Sequence, residues 1–250
     1  QGSDDRSVMG ICIDSRQVEL GSLFIALKGT HTDGHQFIEL AINKGAVAIV
    51  CEEFPASMNE AVTYILVKHT AEIAGILADA FFDHPSSKMK LVGITGTNGK
   101  TTSTYLLESI FNSAGLPTAV MGTVENRFQK HTIESTLTTA NPIDLQKYFK
   151  RFLDLGAKTV AIEASSHAIS QSRIFGTQIS GALFTNLTQD HLDYHGTMEN
   201  YFSEKKKLFT EYNPKASAIN ADDSWGRKIL KEKKDAIAFG SKTNTKYYSI

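Results

Sequence analysis

The chain has 250 residues, with 41% hydrophobic and 21% charged residues, the profile of a soluble globular protein of about two domains. A formal net charge of -1 excludes the whole-protein positive field that holds nucleic acid. No apolar run approaches the roughly 20 residues of a membrane span, and no signal peptide is visible, so a cytoplasmic protein is expected.

In chain order, the opening Gln1-Gly2-Ser3 resembles the remnant of a cleavable tag and is set aside from the fold. Met9 to Asp14 and Leu23 to Leu27 are short apolar strands. A turn-rich loop, Lys28 to His35, separates the second strand from a helix over Gln36 to Lys44, whose apolar residues are Phe37, Ile38, Ala41 and Ile42. Ala46 to Val50 carries no polar residue and reads as a strand buried on both faces. Tyr64 to Val67 is a further strand. Thr70 is expected to cap a helix whose apolar face is Ile73, Ile76, Leu77, Ala80 and Phe81. His84-Pro85-Ser86-Ser87 breaks the chain, which places a domain boundary at Lys88, between residues 1–88 and 89–250. Cys12 and Cys51, both in apolar runs, read as buried free thiols in a reducing compartment.

The second block alternates strands with helices. Strands are predicted at Leu91 to Ile94, Thr118 to Gly122, Thr159 to Glu163, Gly181 to Asn186 and Ala216 to Asn220. Helices are predicted from Tyr105, from Pro142 to Leu153, over Thr197 to Phe209 and over Ser224 to Lys231. Such alternation predicts an α/β fold, a small N-terminal α/β domain followed by a mostly parallel sheet with helices on both faces. Ligands in such sheets gather at the C-terminal strand ends. The polar clusters at 96–101, 163–167, 186–195 and 220–223 all follow strands and should share one face.

The most informative stretch is Leu91 to Thr104, where an apolar strand, the turn Gly96-Thr97-Asn98-Gly99, then Lys100-Thr101-Thr102 lead into a helix. This order is that of a phosphate-binding loop. Glycines admit phosphate oxygens to backbone N–H groups, Lys100 reaches the β- and γ-phosphates, and the Thr101 hydroxyl suits Mg²⁺. The usual spacing would put the first glycine at Ile94, so this is a shortened variant beginning at Gly96. Glu163, ending a strand, is a candidate Mg²⁺ ligand or water holder, against the alternative of a solvated strand end.

In Asn186 to Gly196 the pair His191 and His195, with Asp190 and Asp193, admits either a metal or loop hydrogen bonding. Lys205 sits in a basic run that alone would be a solvated face. It also lies four residues from Tyr201 and from Phe209, which would turn it inward and lower its pKa. Asp14-Ser15-Arg16 and the 29–35 loop are weaker phosphate or sugar candidates.

Gly96 to Thr102, Glu163-Ala164-Ser165-Ser166-His167 and Thr185-Asn186-Leu187 through Asp190 to Gly196 together resemble the Mur ligases, which build the peptide stem of bacterial peptidoglycan. Asp14-Ser15-Arg16, Gly21 to Gly29 and Thr32 to His35 resemble the UDP-binding domain of the branch that adds the third amino acid. The resemblance implies an ATP-dependent ligase acting on UDP-N-acetylmuramoyl-L-alanyl-D-glutamate, with meso-diaminopimelate or L-lysine as the added amine. It implies an acyl phosphate formed with release of ADP, then attack by the amine. By the same resemblance, Gly96, Thr97, Asn98, Gly99, Lys100, Thr101 and Thr102 hold ATP. Thr101, Glu163, His191 and Lys205 serve Mg²⁺, Lys205 as a CO₂-derived carbamate. Lys100, Lys205 and His191 are the catalytic set. Ile13, Ser15, Thr30, His31 and Thr32 meet the UDP part, and Thr138, Thr139, Ser165, Gln171 and Arg173 the muramoyl-dipeptide end.

Ala164 stands where the family commonly has Val, and Leu137 where some members have a polar residue. Family members carry a third, C-terminal domain that selects the amino acid. The chain ends at Ile250, so it is expected to be a fragment, a monomer that binds poorly and does not turn over alone. The competing readings are a sibling ligase of the folylpolyglutamate or cyanophycin kind, and a nucleotide-binding protein without catalysis.

Overall fold

The computed structural model describes residues 5–29 and 32–241. Two sheets organise the chain. The first is four-stranded and wholly parallel, in the order β1 (Gly10–Cys12), β2 (Ser22–Ile25), β3 (Ala48–Cys51), β4 (Thr63–Leu66). Alternation along β2 and β3 sorts its two faces. Phe24, Ile49 and Cys51 pack with Ile38 and Ala41 of α1 (Ile38–Asn43). Leu23, Ile25, Ala48 and Val50 face Ala74 and Ala78 of α2 (Thr70–Phe81).

Two expectations for α2 are corrected. Thr70 does not cap the helix; it is the first helical residue, and the cap position, His69, gives no side-chain bond. The capping acceptor is Glu52, whose Oε1 takes both the Thr70 N–H and the Thr70 hydroxyl at 2.9 Å. The expected apolar stripe is buried only in part: Ile73 and Leu77 pack against the core, but Ile76 and Phe81 are 44% and 39% exposed. Small residues make up the rest of the inward face, because the neighbouring backbone comes too close for larger ones. A Cβ on Gly75 would lie 2.0 Å from the Phe175 carbonyl oxygen.

Among the described residues the second sheet has eight strands. In chain order they are β5 (Lys90–Thr95), β6 (Thr118–Met121), β7 (Glu125–Phe128), β8 (His131–Glu134), β9 (Thr159–Glu163), β10 (Gly181–Phe184), β11 (Ala216–Asn220) and β12 (Ile237–Phe239). Their spatial order is β12-β11-β10-β5-β9-β6-β7-β8, parallel from β12 to β6. The β7–β8 hairpin adds an antiparallel edge that the chain's periodicity does not announce. Its tight turn uses Gln129 at φ 53° rather than Asn or Gly, and only Phe128 and Ile133 supply apolar alternation.

The helices are α3 (Lys100–Ser113), α4 (Pro142–Asp154), α5 (Ser166–Ser170), α6 (Leu192–His195), α7 (Met198–Thr210) and α8 (Ser224–Glu232). The predicted helices at Pro142 and Ser224 begin as expected, and the one read from Thr197 begins one residue later, at Met198. Asn141, Thr197 and Asp223 each accept backbone N–H groups as N-caps. The central core joins Leu91, Val160, Ile162 and Phe184 from the sheet with Phe149 and Phe152 of α4 and Leu208 of α7. α4 also packs on α2, and its Ile143 belongs to the core of the small sheet, which ties the two halves together. Cys12 and Cys51 are buried free thiols, as expected. No described helix is long and apolar enough to cross a membrane.

Candidate functional site

The C-terminal ends of β5, β9, β6 and β10 bring the polar clusters together. Between β5 and α3 the chain turns through Gly96 (φ 147°) and Gly99 (φ 82°). Gly96 is required by close approach, since a Cβ there would lie 1.9 Å from Thr185 Oγ1. The segment after β10 pins this loop. Thr97 N–H donates to the Asn186 carbonyl (2.8 Å), Asn98 N–H to Asn186 Oδ1 (3.0 Å) and the Thr185 hydroxyl to the Asn98 carbonyl (2.7 Å). Thr102, with Asn98, Gly99, Ser103, Thr185 and Phe239, lines a cavity of about 460 Å³ beside the loop.

Lys100 opens α3 and folds back, its Nζ donating to the carbonyls of Gly96 (3.0 Å) and Thr97 (2.9 Å). Burial lowers its pKa, opposed by Glu163 and Asp190. Thr101 Oγ1 donates to Glu163 Oε1 at 2.7 Å. Glu163 is buried at the end of β9, and its carboxylate also accepts the Thr123 N–H and hydroxyl, each at 3.1 Å. Lys205 does face inward, 1% exposed beneath the loop. Its Nζ donates to the Gly96 carbonyl at 2.9 Å and lies 4.6 Å from the Tyr201 ring centre. Burial first, then the Lys100 charge, push its pKa well below the ordinary lysine value.

His191 precedes the short α6 in the left-handed region, φ 49°, and gives that helix no side-chain capping bond. Its ring stands edge-on to His167, 4.8 Å between centroids. Burial, then His191, lowers the His167 pKa. His195 turns away and meets Ser166 Oγ at 3.0 Å. Among the described residues no three His, Cys, Asp or Glu side chains gather as a metal-holding group. The donors here are instead a hydroxyl and a carboxylate, the oxygen set that suits Mg²⁺ completed by substrate phosphates.

Next to Glu163, Thr139 Oγ1 donates to the Glu163 carbonyl (2.7 Å) and accepts the Ser165 N–H (3.2 Å). Arg173 donates to the Thr139 carbonyl and to Gln171 Oε1, both at 3.0 Å, and Gln171 reaches the Tyr194 hydroxyl at 3.3 Å. Thr138, more exposed, has its hydroxyl oxygen 3.1 Å from that of Thr123. Thr139, Ser165, Gln171 and Arg173 thus form one connected group adjoining Glu163.

Ile13, Ser15 and Thr32 lie apart from these, on a cleft of about 770 Å³ between the small sheet and the start of α4. Thr30 and His31 fall outside the described residues. Arg16, expected as a phosphate donor, is gripped by Asp14, with Nε and Nη2 to the carboxylate at 3.0 and 2.7 Å. That bond holds the Asp14 carboxyl below its ordinary range.

Sequence reasoning missed Thr123, although it follows a strand and so belonged to the face already singled out. It also missed Asn141, Ile143 and Asp144, which wall the cleft from the other half of the chain; no local signal reports that contact.

A strand, a glycine turn, Lys100 on a helix start and a carboxylate on the neighbouring strand have the order of a phosphate loop in an α/β protein, and the chain belongs to the Mur ligase family. Residues 94–250 match the Mur ligase middle domain, and residues 7–82 the Mur ligase family catalytic domain.

The chain is 46% identical over 237 residues to a UDP-N-acetylmuramoyl-L-alanyl-D-glutamate--2,6-diaminopimelate ligase of Bacteroides fragilis, covering 94% of this chain and 49% of that protein. It is also 46% identical to the enzyme of the same name from Aquifex aeolicus, covering 96% of this chain and 50% of that one. A solved ligase of that name superposes with a TM-score of 0.82 at 29% identity, over 96% of this chain and 50% of the other. MurF from Acinetobacter baumannii shares the fold, with a TM-score of 0.65 at 22% identity over 94% of this chain and 48% of that one. The chain spans about half the length of the curated relatives it matches.

Proposed function

We propose that the chain forms the nucleotide-binding part of an ATP-dependent ligase that adds the third amino acid to UDP-N-acetylmuramoyl-L-alanyl-D-glutamate. The added residue is meso-diaminopimelate, in keeping with the names of the relatives, with L-lysine as the alternative. The observation that carries this reading is the convergence of Lys100, the Thr101–Glu163 pair and buried Lys205 on a single glycine loop.

In this reading residues 1–88 form the UDP-binding domain and residues 89–250 belong to the ATP-binding domain. Gly96 to Thr102 hold the phosphates of ATP, and Lys100 leaves its two carbonyls to reach the β- and γ-phosphates. Thr101 and Glu163 hold one Mg²⁺, and His191 and carbamylated Lys205 a second; bound Mg²⁺ supplies neutralisation of phosphate charge. Ile13, Ser15 and the 30–32 segment meet the UDP part. Arg173, Gln171, Thr138, Thr139 and Ser165 orient the dipeptide end, so that its terminal carboxylate attacks the γ-phosphate. The resulting acyl phosphate then accepts the amine, and phosphate leaves. Preorganised donors and the Lys100 charge lower the barrier by favouring the transferred phosphoryl group. The protein acts as a monomer in the cytoplasm.

The test is ATP-dependent phosphate release by a form extended to the relatives' length, with diaminopimelate and lysine supplied separately. Release that needs the UDP substrate and one amine is expected, and Lys100→Ala abolishes it. Release in the absence of either substrate, or unchanged in Lys100→Ala, would overturn the reading.

A further inference from the structure

The amine of Lys205 shares its acceptor. Gly96 O takes hydrogen bonds from both Lys205 Nζ (2.9 Å) and Lys100 Nζ (3.0 Å), so two lysines converge on one carbonyl in a buried place. One residue earlier, the Thr95 side chain is fully buried and its hydroxyl has no hydrogen-bond partner among the described residues.

The register of β5 says which way Thr95 points. A Cβ on Gly93 would lie 3.2 Å from Leu208 Cδ1 of α7, and side chains two apart on a strand share a face. Thr95 therefore also faces α7. The start of that helix lies at the C-terminal end of β5, since the Tyr201 hydroxyl sits 3.2 Å from Thr97 Oγ1. Moving along β5 from Gly93 to Thr95 thus moves along α7 from Leu208 back towards Lys205, one turn nearer the helix start. A buried hydroxyl without a partner is uncommon, and it asks for an acceptor that arrives with a ligand or a modification.

We propose that the Thr95 hydroxyl is the positioning donor for a carbamate on Lys205. This rests on the reading above that Lys205 is carbamylated. In that modification the neutral amine nitrogen attacks the carbon of CO₂. An N–C bond forms, one C=O π pair becomes a carboxylate lone pair, and one proton leaves nitrogen for bulk water. The product carries negative charge in a buried place and needs donors there. Thr95 supplies a neutral one, and Lys100 supplies a nearby cation. The new negative charge also replaces the conflict of two amines at one carbonyl with an attraction between Lys205 and Lys100. Thr95 is a positioning residue, acting through Lys205 rather than on substrate.

The experiment follows the ¹³C resonance of the carbamate in this chain, titrated with ¹³C-bicarbonate at fixed pH. The parent shows a signal that Lys205→Met lacks. Thr95→Val needs roughly ten- to a hundredfold more bicarbonate for half occupancy, the worth of one hydrogen bond to a charged group, while Thr95→Ser stays near the parent. Urea unfolding supplies the second readout. Bicarbonate raises the midpoint of the parent and of Thr95→Ser but not of Thr95→Val, a dependence that a merely structural threonine would not produce. A parent signal matched by Thr95→Val at every bicarbonate concentration, with that variant folded, overturns the role of Thr95 and leaves the carbamate standing. No signal in the parent at any concentration removes both.

Discussion

Replacing Gly122 by Ala perturbs the carboxylate at the centre of the site without touching it chemically. A Cβ at Gly122 would lie 2.2 Å from Glu163 Oε1, 2.7 Å from its Cδ and 2.8 Å from its Cγ. Ordinary contact begins near 3.4 Å, so one partner must retreat by more than an ångström. Gly122 is held from both sides, its N–H donating to the Glu125 carbonyl at 3.2 Å and its carbonyl accepting the Ser135 hydroxyl at 2.6 Å. The Glu163 side chain must therefore swing away. It then loses the Thr101 hydroxyl at 2.7 Å and the Thr123 N–H and hydroxyl at 3.1 Å.

Each hydrogen bond to an ionised group contributes about 1.5–3 kcal/mol, part of which water restores once the carboxylate is displaced. A net loss on the order of 2–4 kcal/mol follows, read as a lower urea midpoint. Displacing a positioned carboxylate should also weaken Mg²⁺-dependent ATP binding by about 10- to 100-fold, measured by titration calorimetry with and without Mg²⁺. Binding without Mg²⁺ should change little. A Gly122→Ala protein with the parent's midpoint and the parent's Mg²⁺-dependent affinity would refute the reasoning.

Gly75→Ala drives a Cβ to 2.0 Å from the Phe175 carbonyl, a backbone atom that cannot rotate aside. A loss of about 1–3 kcal/mol in chemical denaturation is expected, with ATP affinity retained by the folded fraction. His35→Ala removes the ring that accepts the Glu52 N–H at 2.8 Å and meets Asp33 at 2.6 Å, two contacts that fix the loop beside the cleft. Affinity for the UDP-dipeptide should fall about tenfold by calorimetry, while ATP affinity holds. The Cys12 thiol is pushed up to about 11, by burial and then by the Asp14 charge, from an ordinary value of 9.0. The folded state then holds its proton more tightly than the unfolded chain, so stability falls as pH rises from 9.0 to about 11. Urea midpoints across that range should drop in the parent and less so in Cys12→Ala; equal slopes would contradict it.

The sequence by itself determined much of what depends on neighbours along the chain. The apolar runs at β3, β5 and β9 read as buried strands, and Pro142 and Ser224 marked helix starts that the structure keeps. Gly96 to Thr102 could be read as a strand-to-helix glycine turn because its order is local. The spacing of Lys205 from Tyr201 and Phe209 was enough to turn the lysine inward, since helical period alone sets which side chains share a face.

Tertiary structure decided what depends on contacts across the fold. The most buried residues of α2 are small ones, since a carbonyl from the Phe175 turn approaches Gly75, and no periodicity reports a distant backbone. The β7–β8 hairpin carries too little apolar alternation to be read, and it forms because β6 offers it an edge to pair with. Thr123 joins Glu163 from the bend between β6 and β7, and Asn141 and Asp144 wall a cleft whose other side lies in the first sheet. The unpartnered Thr95 hydroxyl is of the same kind, because a missing hydrogen bond exists only once everything around a donor has been placed.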